Sequence, residues 1–232
     1  MNEGTKIKEL VQTLNHHRHA YYNLNVPEIS DVEYDRMYDQ LKKLEAETGI
    51  IYSNSPTQTV GYPPVSELKK VPHPHPLLSL DKTKQVTDLC RFCGSHAALL
   101  MLKLDGLTVK LTYENGRLKE AATRGDGETG EEITHNIPAF ENVPLTIAYK
   151  ERLGVTGEAF IHKKDFERLN TTLRDRNGEP YKNARNLAAG SVRSLDPENC
   201  KGRCVTFLPF NVLEGLDEGE NSNSREERLY QL

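Results

Sequence analysis

Apolar residues first recur at helical spacing at Ile7, Leu10, Val11 and Leu14, which predicts an amphipathic helix over 5–24. Asn25-Val26-Pro27 breaks that pattern. Ser30 followed by Glu33 is a capping-box pattern, so a second helix is predicted from there to about residue 47, with Val32, Met37, Leu41 and Leu44 on one face. Gly49 fits its C-terminal stop. Residues 53–76, rich in Pro, Ser and Gly, read as a linker, and the domain boundary is placed near residue 68. Residues 85–98 are read as helical, and the apolar run 98–102 as a strand. Segments 107–113 and 117–123 flank Asn115-Gly116, a strong hairpin signal. A short helix is expected over 131–136 and a strand over 153–156, closed by Gly157-Glu158. Helices are expected over 163–173 and 185–195, the latter with small residues at Ala188, Ala189 and Gly190. An apolar strand, 204–213, precedes a polar loop to 224 and the start of a helix at 225–232, and an element cut there suggests a truncated chain. Two helices followed by strands with interspersed helices make the fold class α+β.

Composition narrows the function without choosing it. Among 232 residues, 28% are charged, 36% are hydrophobic and Trp is absent, as in an ordinary soluble protein. No apolar run approaches a membrane span, and the N-terminus lacks the apolar core of a secretion signal, so the expected location is the cytoplasm. A net charge of −4 argues against gripping nucleic acid by bulk electrostatics, so any such contact is local or belongs to other parts. Cys90, Cys93, Cys200 and Cys204 have pairwise spacings that zinc sites use, but the pairs lie more than a hundred residues apart, and reduced thiols are the expectation. His73 and His75 alternate with prolines, and no metal role is assigned to them.

The chemistry is concentrated at Lys103-Leu104-Asp105-Gly106, between the apolar run and the hairpin. A lysine there would point into a cleft with an acid two residues on along the same face. Alone, the tetrapeptide reads as a solvated lysine beside a turn-forming Asp-Gly. Arg124, in the turn Arg124-Gly125-Asp126-Gly127, and Glu158 add an arginine and a glutamate at strand ends, which suggests a phosphate-handling cleft. Tyr21, Tyr22, Tyr34, Asp31 and Asp35 bracket the first helix–turn–helix, either as aromatic packing with a charged cap or as a cage for a flat cation. Arg185 and Arg193, eight apart and near one helical face, are either solvated or phosphate contacts.

Across the segments 16–35, 55–61, 76–81, 103–137, 155–160 and 184–197, the chain resembles the N-terminal part of bacterial NAD-dependent DNA ligases. K-x-D-G alone would fit any lysine-adenylating nucleotidyltransferase, ATP-dependent ligases and capping enzymes included, whereas the block at 16–35 points to NAD. The resemblance implies a small helical module, 1–68, and a nucleotidyltransferase domain of antiparallel sheets with flanking helices, 69–232, C-terminally incomplete. It implies that Lys103 takes AMP from NAD and that Asp105 positions or helps activate it. Ser79, Leu80, Met101, Arg124 and Glu158 would hold the adenosine and phosphates, with Glu158 on the ribose. Tyr21, Tyr22, Asp31, Val32, Glu33, Tyr34 and Asp35 would hold the nicotinamide mononucleotide (NMN) half. Arg185 and Arg193 would contact phosphates of nucleotide or DNA. Mg²⁺ is expected, as are a nicked duplex as partner through a larger parent enzyme and a monomeric state.

A lysine with its ordinary pKa near 10.4 is neutral in only about one molecule in a thousand at pH 7.5. Burial and a nearby cation, for which Arg124 is the candidate, would favour the attacking form. Two departures from the family pattern stand out. Met101 occupies the position two before the nucleophile, where the family places Glu or a similar polar reader of the adenine amino group, and two later lysine-bearing motifs are absent. A binding module without chemistry is the competing reading. Ala184 and Leu187 also differ, from the usual Pro and Ala.

Overall fold

A computed structural model describes residues 3–21, 27–58, 67–78, 83–96, 98–175 and 177–216. The first element is helix α1, Glu3–His19, which buries Ile7, Val11, Leu14 and Arg18, one residue per turn along a single stripe. Helix α2, Asp31–Thr48, starts as the sequence predicts: Glu33 N–H donates to the Ser30 hydroxyl, and Ser30 N–H donates to the Glu33 carboxylate at 3.0 Å. It ends at Gly49 in the left-handed conformation, with φ 71°. The two helices close a small core of Ile7, Val11, Leu14 and Leu41, lined by Tyr34, Met37, Tyr38, Leu44 and Tyr52. Val32 is not on this face: it is 69% exposed. Five helical residues separate Val32 from Met37, a rotation of about 140°, so the two cannot share a narrow stripe.

The first part of the proline-rich segment is fastened to this module. Ser55 and Thr57 each donate a hydroxyl hydrogen bond of 2.6 Å to the buried carboxylate of Glu45, and these two bonds compensate the burial of a charge. Further along, Lys70–Pro72 is not linker but strand β1, antiparallel to β4, Thr129–Glu131.

The larger unit is a four-stranded antiparallel sheet of order β3-β2-β5-β6, built from β2 Leu107–Glu114, β3 Arg117–Thr123, β5 Leu153–Ile161 and β6 Val205–Glu214. The hairpin forms as Asn-Gly requires: Glu114 pairs Arg117, and Asn115 and Gly116 take φ 53° and 73°. One face carries Val109, Leu111, Tyr113, Ala121, Val155, Ala159 and Phe207 into the main core, which is closed by helix α5, Ala184–Val192, through Leu187, Ala188 and Val192. Helices α3, Val86–Cys93, and α4, Lys163–Leu169, complete the set, with short 3₁₀ turns at Thr134–Ala139 and Pro197–Asn199. The fold is α+β, with helices first and antiparallel sheet after.

Four further expectations are corrected. Residues 98–102 form no strand: Leu100 is 97% and Leu102 82% exposed, and among the described residues no strand pairs with them. Apolar runs without a partner strand have nowhere to place their backbone hydrogen bonds. Strand β5 runs through Gly157 and Glu158 to Ile161 instead of stopping there, because both β2 and β6 pair along that length. The short helix expected over 131–136 begins only at Thr134, since Thr129–Glu131 is taken by β4. Helix α3 starts at Val86 and ends at Cys93, short of 98, with no buried residue. The helix read at 225–232 lies outside the described residues, as does most of the loop before it.

Candidate active site

The Lys-Leu-Asp-Gly tetrapeptide is held in place by its glycine. A Cβ at Gly106 would lie 2.2 Å from the carbonyl oxygen of Ala159, so only glycine lets the chain lie this close to β5. Gly106 N–H donates to the Glu158 carboxylate at 3.1 Å, and the Thr108 hydroxyl donates to its other oxygen at 2.9 Å. Glu158, only 8% exposed, thus has both oxygens engaged where β2 begins. Thr108 and Glu158 are cross-strand partners, which is why the contact forms. Thr108 carried no motif signal, and only the register exposes its role.

Asp105 projects from the same turn and pairs with Arg185 at 3.2 Å. Arg185 sits in the first turn of α5, whose start is fixed by Asn183: its side chain accepts from Asn186 N–H at 2.8 Å. The Arg185 guanidinium also lies over the ring of Tyr21, 5.1 Å from its centroid. Three residues far apart in sequence therefore join the tetrapeptide to the end of the first helical segment.

Beside this junction lies a cleft of about 360 Å³, lined by Pro27, Glu28, Ile29, Ser30, Asp31, Lys182 and Asn183. The Lys182 ammonium donates to the Pro27 carbonyl, closing one wall. Asp31 is the sequence candidate that reaches this cleft. Lys182 and Asn183 were missed: an Asn before a helical run is an N-cap signal, while nothing local marks Lys182. Tyr34 packs into the small core and stacks on Tyr38, with centroids 6.3 Å apart. Glu33 is committed to Ser30, and these hydrogen bonds, the backbone one first, hold its carboxyl below the ordinary range. Tyr34 and Glu33 thus have structural duties, and Val32 and Asp35 line no wall of the cleft. Tyr22, Ser79 and Leu80 lie outside the described residues.

Lys103 itself is exposed. Among the described residues it makes no hydrogen bond or ion pair, so the burial expected of it is absent. Met101, two residues earlier, is 38% exposed. Arg124 is half-buried in a turn that glycine makes possible: Gly125 has φ +58°, and a Cβ there would meet the Thr129 carbonyl oxygen at 1.9 Å. The turn is braced from behind by His73, whose ring nitrogen bonds the carbonyls of Thr123 and Arg124 at 3.1 and 3.2 Å. Burial, and then the charge of Lys110, push the His73 pKa below its ordinary value.

Arg193 does not join Arg185. It caps the other end of α5 and makes a two-pronged pair with Glu131, at 2.6 and 3.1 Å. Both side chains are nearly inaccessible, at 11% and 3% exposure. Eight residues along a helix turn about 80° in azimuth and reach the other end, about 12 Å away. Cys200 is buried, which drives its thiol up to about 11.

Residues 65–232 match the model of the NAD-dependent DNA ligase adenylation domain. Residues 1–61 match that of the DNA ligase-like N-terminal NAD⁺-binding domain. Among similar proteins, the DNA ligase of Ruminiclostridium cellulolyticum is 45% identical over 223 residues, covering 96% of this chain and 34% of that protein. The DNA ligase of Lachnoclostridium phytofermentans is 45% identical over 213 residues, covering 92% of this chain and 32% of that protein. The chain thus spans about a third of the length of these relatives. By these matches over nearly its whole length, and in keeping with its glycine-anchored Lys-Leu-Asp-Gly turn, the chain belongs to the NAD-dependent DNA ligase adenylation-domain family.

Proposed function

We propose that this chain is the adenylation portion of an NAD-dependent DNA ligase. The ε-amine of Lys103 attacks the α-phosphorus of NAD. A nitrogen–phosphorus bond forms as the phosphorus–oxygen bond to NMN breaks, and the amine proton passes to water, which reaches exposed Lys103. AMP then moves to the 5′-phosphate of a nick, and the 3′-hydroxyl displaces it, work that serves DNA replication and repair in the cytoplasm. The later steps, and the nicked duplex as partner, belong to the parent enzyme, because a chain of net charge −4 offers little bulk attraction for DNA. A monomeric state and a division into 1–68 and 69–232 are part of the same reading.

The observation that carries it is the Asp105–Arg185–Tyr21 bridge, which ties the nucleophile's own turn to the helix–turn–helix. The cleft alongside is lined by Asp31, whose negative charge favours the cationic nicotinamide ring. Asp105 acts by orientation. Glu158, with both oxygens engaged, shapes the turn and meets a ribose only by exchanging one of those bonds. Arg124 supplies charge toward phosphate. The described residues near Lys103 do not compose a Mg²⁺ site, since Asp105 is paired with Arg185 and Glu158 is occupied.

Treating the chain with NAD and Mg²⁺ and weighing it tests the reading. Addition of one AMP, lost in Lys103→Ala and not supplied by ATP, supports it. Saturable NAD binding without the adduct favours the second reading, a binding module without chemistry, for which the exposure of Lys103 and the loss of a polar adenine reader at Met101 speak. A preference for ATP over NAD would instead indicate an ATP-dependent relative.

A further inference from the structure

At the end of α1, two adjacent histidines and a glutamate from the following loop converge on one point. The Glu28 carboxylate oxygen lies 2.7 Å from His16 Nε2 and 3.2 Å from His17 Nδ1. All three ligand atoms lie within 4.8 Å of one another. Neighbouring helical residues normally diverge by about 100°. Here they converge because His16 reaches with its far nitrogen and His17 with its near one, their rings 5.3 Å apart and edge to face. His17 Nδ1 is buried and makes no hydrogen bond in spite of the carboxylate beside it. An imidazole lone pair facing a carboxylate is repulsive unless positive charge lies between them. The hydrogen-bond geometry fails for a proton between His17 Nδ1 and the carboxylate, whereas His16 Nε2 does bond the same oxygen, so a cation that binds all three satisfies the orphaned nitrogen.

We propose that His16, His17 and Glu28 form a binding site for a divalent transition-metal ion of the zinc type. Two imidazoles and a carboxylate are a recognised zinc ligand set that leaves a fourth position for water. Tetrahedral bonds of about 2.0–2.1 Å place ligand atoms about 3.3 Å apart, which the His17–Glu28 separation of 3.2 Å matches, while His16 gives up its 2.7 Å hydrogen bond to Glu28 on ligating the ion. The ion fastens the C-terminal turn of α1 to the loop that caps α2 and lines the cleft.

The test uses the untagged 232-residue chain carrying Cys90→Ser and Cys93→Ser, so that exposed thiols do not compete, and titrates it with Co²⁺ and Zn²⁺. The expected result is one equivalent bound, with visible d–d absorption and no thiolate charge-transfer band, displaced by Zn²⁺. Glu28→Gln and His17→Ala each lower the affinity by at least about tenfold. Both variants keep the parent's circular dichroism and melting temperature in EDTA. Equal affinity in the parent and in both variants, or no binding by the parent, overturns the proposal.

Discussion

The Arg185 guanidinium sits between two partners, the Asp105 carboxylate at 3.2 Å and the Tyr21 ring at 5.1 Å. It is mostly shielded, at 17% exposure, while Asp105 is 66% exposed. An ion pair with one open partner adds less than about 1 kcal/mol to stability. Arg185→Ala should therefore unfold at nearly the wild-type denaturant midpoint. The same change should slow adenylation of Lys103 by about 100-fold, because the turn and the helical module lose their link. Arg185→Lys should restore little, since an ammonium lacks the planar fork that both pairs and stacks. Quench-flow assay of AMP transfer beside urea melts measures both quantities.

Arg193 predicts the opposite division. Its partner Glu131 is 2% exposed, and Lys70 lies 3.5 Å from the same carboxylate. Removing the guanidinium takes the short two-pronged partner from a buried carboxylate and leaves Lys70, at 3.5 Å, on one of its oxygens. Arg193→Ala should cost about 3 kcal/mol, read as a lower urea midpoint at constant slope. A variant as stable as wild type would mean that Glu131 is reached by water.

Gly106 tests the packing of the reactive turn. A Cβ placed 2.2 Å from the Ala159 oxygen forces the turn off β5 and breaks the Gly106–Glu158 bond. Gly106→Ala should cost about 1–3 kcal/mol and abolish the adduct. Thermal melting and intact mass give the two readouts.

His73 gives a pH dependence of definite sign. Its folded pKa lies below the ordinary 6.5, so the folded state favours the neutral ring. Below about pH 6.5 the unfolded chain takes up a proton that the folded chain refuses. This stability is complete above that value, is lost as pH falls through it, and levels off only below the lower folded value. His73→Gln should lack this part of the slope between pH 7 and 5, measured as urea midpoints against pH. A steeper slope in the variant would refute it.

Local signals were the legible ones. The Ser30–Glu33 capping box, the Asn115-Gly116 hairpin and the stripe of α1 depend on neighbours a few residues apart, and the structure has each of them. Partner-dependent features were not legible. Leu99 to Leu102 has a strand's composition but no partner strand among the described residues, so it is exposed. Arg185 and Arg193 look alike in sequence, yet one meets Asp105 and the other a buried glutamate on β4, a difference set by the sheet alone. Thr108, Lys182 and Glu131 carry no motif, and their roles exist only across strands or between the helical module and the sheet.

In the proposed reaction the ε-amine of Lys103 is the nucleophile that receives AMP. Peptide mapping by tandem mass spectrometry after incubation with NAD tests it most directly. AMP on the peptide containing Lys103, with an unmodified chain in Lys103→Ala, is the expected result. AMP found on another lysine, or retained by Lys103→Ala, would contradict it.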